Sequence, residues 1–176
     1  SEWEFIGEIA ERADIGLLFD VNNVFVSAYN HGFDPVEFVR RVPHDRIVQI
    51  HLAGHTNLGK YIIDTHRGQV SDPVWDLYEL TIRLAGAVST LVEWDDEIPA
   101  FELVFAEAER AKQVRDRALA VRKIGHGVDP DFEQRLQTVR TKARAPLTSE
   151  STEEHGWTQG GPRETEIRSQ SGDEAA

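Results

Sequence analysis

The sequence predicts an α/β fold of the barrel kind, in which parallel strands deliver functional side chains at one common end. Three observations predict it. Short apolar runs recur at Gly16-Leu17-Leu18-Phe19-Asp20, Ile47-Val48-Gln49-Ile50-His51-Leu52 and Thr90-Leu91-Val92-Glu93-Trp94, with the aliphatic and β-branched content of buried strands. Segments with helical spacing lie between them, the rhythm of βαβ units and a parallel sheet. Each run also ends on a metal-competent side chain: Asp20, His51 and Glu93. In α/β barrels the active site is assembled at that end of the strands.

Taken in order, Glu2 to Ala13 reads as a helix, with Trp3, Ile6, Ile9, Ala10 and Ala13 on its inner side. Leu17 to Asp20 is the first strand. Asp20-Val21-Asn22-Asn23 then opens what reads as a loop through Tyr29-Asn30-His31-Gly32. Asp34-Pro35-Val36-Glu37 is a helix start, with Asp as N-cap, Pro at the first helical position and Glu three residues after the cap. Phe38, Val39 and Val42 form its buried side. The second strand, Ile47–Leu52, ends at Gly54.

Ala53 to Ser71 is a loop of unusual length, and such loops in compact domains are usually functional or disordered. The Ile62-Ile63 pair reads as buried and makes this one ordered, with Tyr61-Ile62-Ile63 its one short strand. Asp72-Pro73 repeats the cap-then-proline device. Val74, Leu77, Tyr78, Thr81 and Leu84 mark the inner stripe of that helix, and Gly86 ends it. Thr90–Trp94 is the third strand. Pro99 opens a long helix to about Ile124, with Phe101, Val104, Phe105, Ala108, Ala111, Val114 and Ala118 on one face and Gly125 as C-cap. Beyond it, Asp129–Arg144 is weakly helical. Thr148 to Ala176, rich in Ser, Thr, Glu, Gly and Gln, has the composition of a disordered tail. Residues 1–124 are thus expected to form the metal-binding domain and 125–176 a tail.

Bulk properties exclude several function classes. The chain has 176 residues, 40% of them apolar, enough for one domain with an ordinary core. Its net charge is −12, and no predicted helix carries a basic cluster, which argues against nucleic acid or an anionic membrane as partner. No apolar run approaches the ~18 residues that a membrane-spanning helix needs. Ser1-Glu2-Trp3-Glu4 lacks the basic start and apolar core of a signal peptide, so the cytoplasm is the expected location. Cysteine is absent, which removes disulfide and thiolate chemistry from the chain itself. Methionine is absent even at position 1; removal of an initiator or a start partway through a longer gene would each account for it.

The candidate site consists of Asp20, Asn22, His51, Asp64, His66 and Glu93, with His55 just outside the ligand set, where it would orient a carboxylate. Asp64-Thr65-His66 and Asp20-Val21-Asn22 share an i, i+2 spacing, which on extended chain puts both side chains on one face. Oxygen and imidazole donors without sulfur suit iron, manganese or zinc, and there are enough of them for more than one ion. Singly, a strand-end Asp is often only a helix cap and a strand-end His only a hydrogen-bonded structural residue; convergence on one rim favours the metal reading. His31 reads as a turn residue and His44 as exposed. His126 and His155 lie in or near the tail, and Trp75, Trp94 and Tyr61 read as packing groups.

Five motifs also carry a resemblance. Phe-Asp-Val-Asn-Asn (19–23), Asn-His-Gly-Phe-Asp-Pro (30–35), Gln-Ile-His-Leu-Ala-Gly-His (49–55), Asp-Thr-His (64–66) and Glu-Trp-Asp (93–95) occur in one order and spacing over about residues 1–122. Together they resemble the multinuclear non-haem iron-dependent oxidative enzymes, of which the methanobactin-biosynthesis oxidase is the well-known type. The resemblance implies a partial TIM (β/α)8 barrel, this chain supplying the last three of eight βα units. It implies two or three iron ions, Fe(II)/Fe(III), held by Asp20, Asn22, His51, Asp64, His66 and Glu93, with further ligands from the absent first half. It also implies O₂-dependent oxidation of cysteine or other residues in a ribosomally made precursor peptide, with a partner protein presenting that peptide. Two other readings stay open on the residues alone: another metal-dependent barrel, such as a sugar isomerase or an endonuclease, and a non-catalytic half-barrel that binds a partner chain.

Overall fold

A computed structural model of the chain describes residues 1–124 and 129–144. Three strands, β1 (Leu17–Asp20), β2 (Ile47–Ala53) and β5 (Ser89–Glu93), form one sheet in the order β1-β2-β5. All its pairings are parallel. A small antiparallel hairpin, β3 (Thr56–Asn57) and β4 (Ile62–Ile63), stands in the long loop after β2. The helices are α1 (Glu2–Ala13), α2 (Val21–His31), α3 (Pro35–Arg41), α4 (Asp72–Ala85), α5 (Phe101–Ile124) and α6 (Pro130–Arg144).

The α/β class and the parallel sheet follow the sequence reading. On one face of the sheet Phe19, Ile50 and Leu52 are buried, part of a core shared with Val24 and Phe25 of α2 and Val74, Leu77 and Tyr78 of α4. On the other face Leu18 is 54% and Leu91 is 42% exposed. That open face carries Asp20 and His51, which are register partners, with Leu91 beside His51 on β5. Among the described residues β1 and β5 each keep one unpaired edge. No described helix is long and apolar enough to cross a membrane.

The main difference from the sequence reading is α2, because Asp20–Gly32 was expected to be loop. Asp20 ends β1 and at once caps the helix, its Oδ1 accepting from the Asn23 backbone N–H at 2.8 Å. Asn and β-branched residues have low helix propensity, which hides the helix in the sequence. Its stability comes from burying Val21, Val24, Phe25 and Ala28 at helical spacing. Gly32, at φ 74, closes it in the left-handed conformation that glycine tolerates.

Other differences are local. Ser71, not Asp72, stands at the N-cap of α4, so Asp72 and Pro73 both lie in the first turn. On α5 the expected inner face is buried only from its middle onward, at Ala111, Val114 and Ala118. Phe101 is 73% and Phe105 52% exposed, and the two rings stack on each other. Ile63 and Tyr61 are exposed while Ile62 is buried. Asp129–Arg144, read as weakly helical, contains a 15-residue helix. Phe132, Leu136, Val139 and Ala143, four and three residues apart, put one side of α6 into the common core. Gly125, His126, His155 and the tail from Thr148 lie outside the described residues.

Candidate metal centre

Parallel pairing sends the carboxyl ends of β1, β2 and β5 to one side of the sheet, and a cluster forms there. His51 Nδ1 stands 3.2 Å from Glu93 Oε2 and 3.8 Å from Asp20 Oδ2. The long loop brings in the rest. His66 Nε2 lies 3.3 Å from Asp64 Oδ1 and 3.8 Å from Asp20 Oδ2. His66 Nδ1 lies 3.1 Å from Glu93 Oε2 and 3.2 Å from Asp95 Oδ2. Asp20, His51, Asp64, His66 and Glu93 thus meet in one cup, and Asp95 joins them from its rim.

The loop is pinned at several points. Gly54 is one, because a Cβ there would lie 2.2 Å from the Arg67 carbonyl oxygen, so that the start and end of the excursion touch backbone to backbone. Further out, the Asn30 side chain bonds both backbone groups of Ile62, accepting from its N–H at 2.9 Å and donating to its oxygen at 2.8 Å. Beyond His66, the Val70 N–H donates to the buried Glu107 carboxylate at 3.0 Å, and the Trp75 indole donates to the Val70 oxygen at 3.0 Å. Arg67 pairs with Asp96 as an isolated parallel bridge, and the Asp95 N–H donates to the His66 oxygen at 2.9 Å. Held this way, His66 has a φ of 50°, a left-handed conformation unfavourable for a non-glycine residue.

Asn22 is the inner support. It is fully buried at the start of α2. Its NH₂ donates to the Gly54 oxygen at 3.2 Å and to Asp64 Oδ1, and its amide oxygen accepts from His55 Nδ1 at 2.8 Å. It presents its NH₂, rather than its oxygen, to the carboxylates. Asn23 donates to the second Asp64 oxygen at 3.2 Å. His55 packs on Phe25, and burial pushes its pKa down, so the ring is held neutral with its Nδ1–H toward Asn22. The two adjacent asparagines, with His55 behind the first, orient Asp64: Asn22 holds the Oδ1 that also faces His66, and Asn23 holds Oδ2. Burial is the main cause that pushes the Asp20 carboxyl above its ordinary value, and the charge of Asp64 adds to it.

Two groups in this cup have ligand atoms all within 4.8 Å of one another: Asp20, Asp64 and His66; and His66, Glu93 and Asp95. Among the described residues no Lys or Arg pairs with Asp20, Asp64, Glu93 or Asp95; the side chains that face them are the imidazoles of His51 and His66. His66 Nδ1 is buried and has no aligned hydrogen bond. A buried imidazole nitrogen lacking a partner, among carboxylates lacking counter-charge, fits a divalent first-row cation.

The sequence reading missed Asp95. It lies two residues past the end of β5, and its nearness to His66 depends on the bridge between residues 67 and 96. The last residue of the Glu-Trp-Asp motif was the available signal. The discounted histidines stay apart from the cup: His31 ends α2, and His44 bonds the Val39 oxygen at 2.7 Å.

Comparison with known proteins adds the context. A family model described as "RiPP precursor modification enzyme MbnB/TglH/ChrH" matches residues 1–116. A UPF0276 protein of Anaeromyxobacter sp. (strain Fw109-5) is 52% identical over 124 residues, covering 70% of this chain and 44% of that protein. UPF0276 proteins of Acaryochloris marina and Vibrio parahaemolyticus are 45% and 49% identical, each over 63% of this chain and 40% of their own length. The chain thus spans about two fifths of the length of these relatives.

Proposed function

The chain belongs to the family of RiPP precursor modification enzymes MbnB/TglH/ChrH, and we propose that it forms the metal-binding carboxyl-terminal part of an iron-dependent, O₂-using oxidase. Its substrate is a residue, a cysteine by preference, of a ribosomally made precursor peptide presented by a partner protein. Residues 1–124 contribute the last three βα units of a TIM barrel. Strands belonging to the part of the relatives that this chain does not match pair with the open edges of β1 and β5 and cover Leu18 and Leu91.

The observation that carries this reading is the convergence of two imidazoles and four carboxylates without a neutralising Lys or Arg among the described residues. In our assignment Asp20, His51, Asp64, His66 and Glu93 hold two or three ions, together with ligands from the rest of the barrel. Asn22 belongs to the same set if its amide turns over; in the orientation described above it steadies Asp64. Bound iron supplies a one-electron redox couple and Lewis acidity at this place. The protein's part is to fix the ligands. Asn22 and Asn23 set the plane of Asp64, His55 sets Asn22, and the cap on Asn23 sets Asp20. The chain has no cysteine, so any thiolate at the cluster comes from the substrate.

The test is metal analysis and O₂ uptake on the chain purified without oxygen, alone and with the part of a relative that this chain does not match supplied in trans. The precursor peptide encoded nearest its gene serves as substrate. Bound iron, O₂ consumption and a mass change in the peptide are expected. Zinc or manganese with no O₂ uptake would favour an isomerase or endonuclease instead. Activity that survives both His51→Ala and Asp64→Ala would reduce the chain to a binding half-barrel.

A further inference from the structure

Glu107 breaks the pattern of its own helix. Among the described side chains of α5 the buried ones are at 107, 111, 114 and 118, four and three residues apart. The last three are Ala111, Val114 and Ala118, and the first is a glutamate only 4% exposed. Among the described residues Glu107 forms no ion pair. Its one hydrogen bond there is the 3.0 Å bond that Oε2 accepts from the Val70 N–H. Taking a carboxylate out of water costs more than one such bond offsets. A leucine would continue the apolar stripe, so fold stability does not explain the glutamate.

What Glu107 holds is the return arm of the long loop. Val70 is itself buried, and side chains from two helices grip both of its backbone groups. Glu107 of α5 takes the N–H, and the Trp75 indole of α4 donates to the oxygen at 3.0 Å. His66 lies four residues upstream, in its left-handed conformation at φ 50. Such a conformation persists only where the surroundings over-determine it. The chain at residues 66–68 is held on one side by the Asp95 N–H and by the close approach of Gly54. The grip on Val70 holds it on the other.

We infer that Glu107 is a positioning residue of the candidate metal centre: it clamps the return arm at Val70 and so keeps His66 in place, and the fold is less stable for it. The consequence for a cation rests on the metal reading above; the clamp does not.

The test compares Glu107→Leu and Glu107→Gln with the wild type, each as the whole chain. Urea unfolding, hydrogen exchange at the Val70 amide and Zn(II) titration after chelation are the readouts. Leucine keeps the apolar stripe and offers no acceptor; glutamine keeps an acceptor oxygen at the same reach. Glu107→Leu should be at least as stable as the wild type and lose protection at the Val70 amide. It should bind zinc roughly tenfold more weakly, the low end for loss of a group that supports a ligand. Glu107→Gln should keep both the protection and the affinity. A residue with a purely structural role would not lower affinity while leaving stability intact. A Glu107→Leu chain less stable than the wild type would overturn the inference. So would a protected Val70 amide in that variant, or an affinity equal to that of a zinc-binding wild type. A Glu107→Gln chain as impaired as Glu107→Leu would overturn it too. A wild type that binds no zinc would sink the metal reading, while stability and Val70 exchange would still decide the clamp.

Discussion

Glu79 and Asp20 are both carboxylates drawn out of water, in surroundings of opposite kind. Glu79 lies fully buried on α4 and is met by three guanidinium groups. Arg83 donates to one oxygen, and Arg117 and Arg135 donate to the other at 2.9 and 2.8 Å. Arg83 and Arg135 also lie over the Phe132 ring, and they pair in turn with Asp129 and Asp76. Burial pushes the Glu79 carboxyl up, but the three guanidinium groups outweigh it and hold it below the usual range. Asp20 has histidines and another aspartate instead, and its carboxyl is pushed up. The first cluster is neutralised from within and joins α4, α5 and α6. The second leaves negative charge concentrated at the strand ends, where a bound cation would be the natural complement. The contrast separates a carboxylate that holds the fold together from one that no Lys or Arg among the described residues neutralises.

The largest expected effect is at the first cluster. Glu79→Ala strands three arginines around a buried space and should cost about 3 kcal/mol, the low end for a broken buried ion pair because Arg117 and Arg135 are partly exposed. Urea unfolding measures it. Asp64→Asn in the metal-free chain should change stability by less than ~1 kcal/mol, since it relieves repulsion with Asp20. Equal losses in the two variants would erase the distinction. Acid sharpens the point. The folded value of Glu79 lies below its unfolded one, so its contribution is complete above the unfolded value of ~4.3 and is lost as pH falls through the folded value. The acid limb of the stability profile should therefore be shallower in Glu79→Gln.

Next in size is the response to a cation. Zn(II) or Mn(II) at a hundredfold excess over its Kd should stabilise the chain by about 2.7 kcal/mol, seen as a rise in Tm that EDTA reverses and Asp64→Asn diminishes. A melting curve indifferent to either ion would place both carboxylate clusters in the structural class. A somewhat smaller effect than that of the cation is expected from Asn22→Ala. It leaves the Gly54 oxygen and the His55 N–H without partners, at about 2 kcal/mol. It should also weaken metal binding through Asp64, whereas Glu79→Ala should not.

The strands and their terminal Asp20, His51 and Glu93 were legible in the sequence because a buried parallel strand is a continuous apolar run that stops where the loop starts. The convergence of Asp64 and His66 was legible from a loop too long and too rich in polar side chains to be a mere connection. Other features depend on contacts distant in sequence. The helix α2 is built from Asn and β-branched residues, and burial against β2 and α4 rather than propensity makes it helical. The direction of the Asn22 amide depends on the positions of Gly54, His55 and Asp64, more than 30 residues away. Asp95 enters through a bridge whose partner residues are separated by 29 positions, Arg67 and Asp96. The α6 helix looked weak because most of its residues are charged or polar; only its stripe from Phe132 to Ala143 reaches the core.

Gly54 sets a limit on how this architecture can vary. The neck of the excursion, residue 54 against residues 67 and 68, has no room for even a methyl group, and His66 is the next residue along. Saturation mutagenesis should therefore find position 54 intolerant to every replacement, while the outward turn near Lys60 accepts many. Changes of length in that outer turn leave the neck closed, so such proteins can drift in loop length without disturbing the side chains that hang from it.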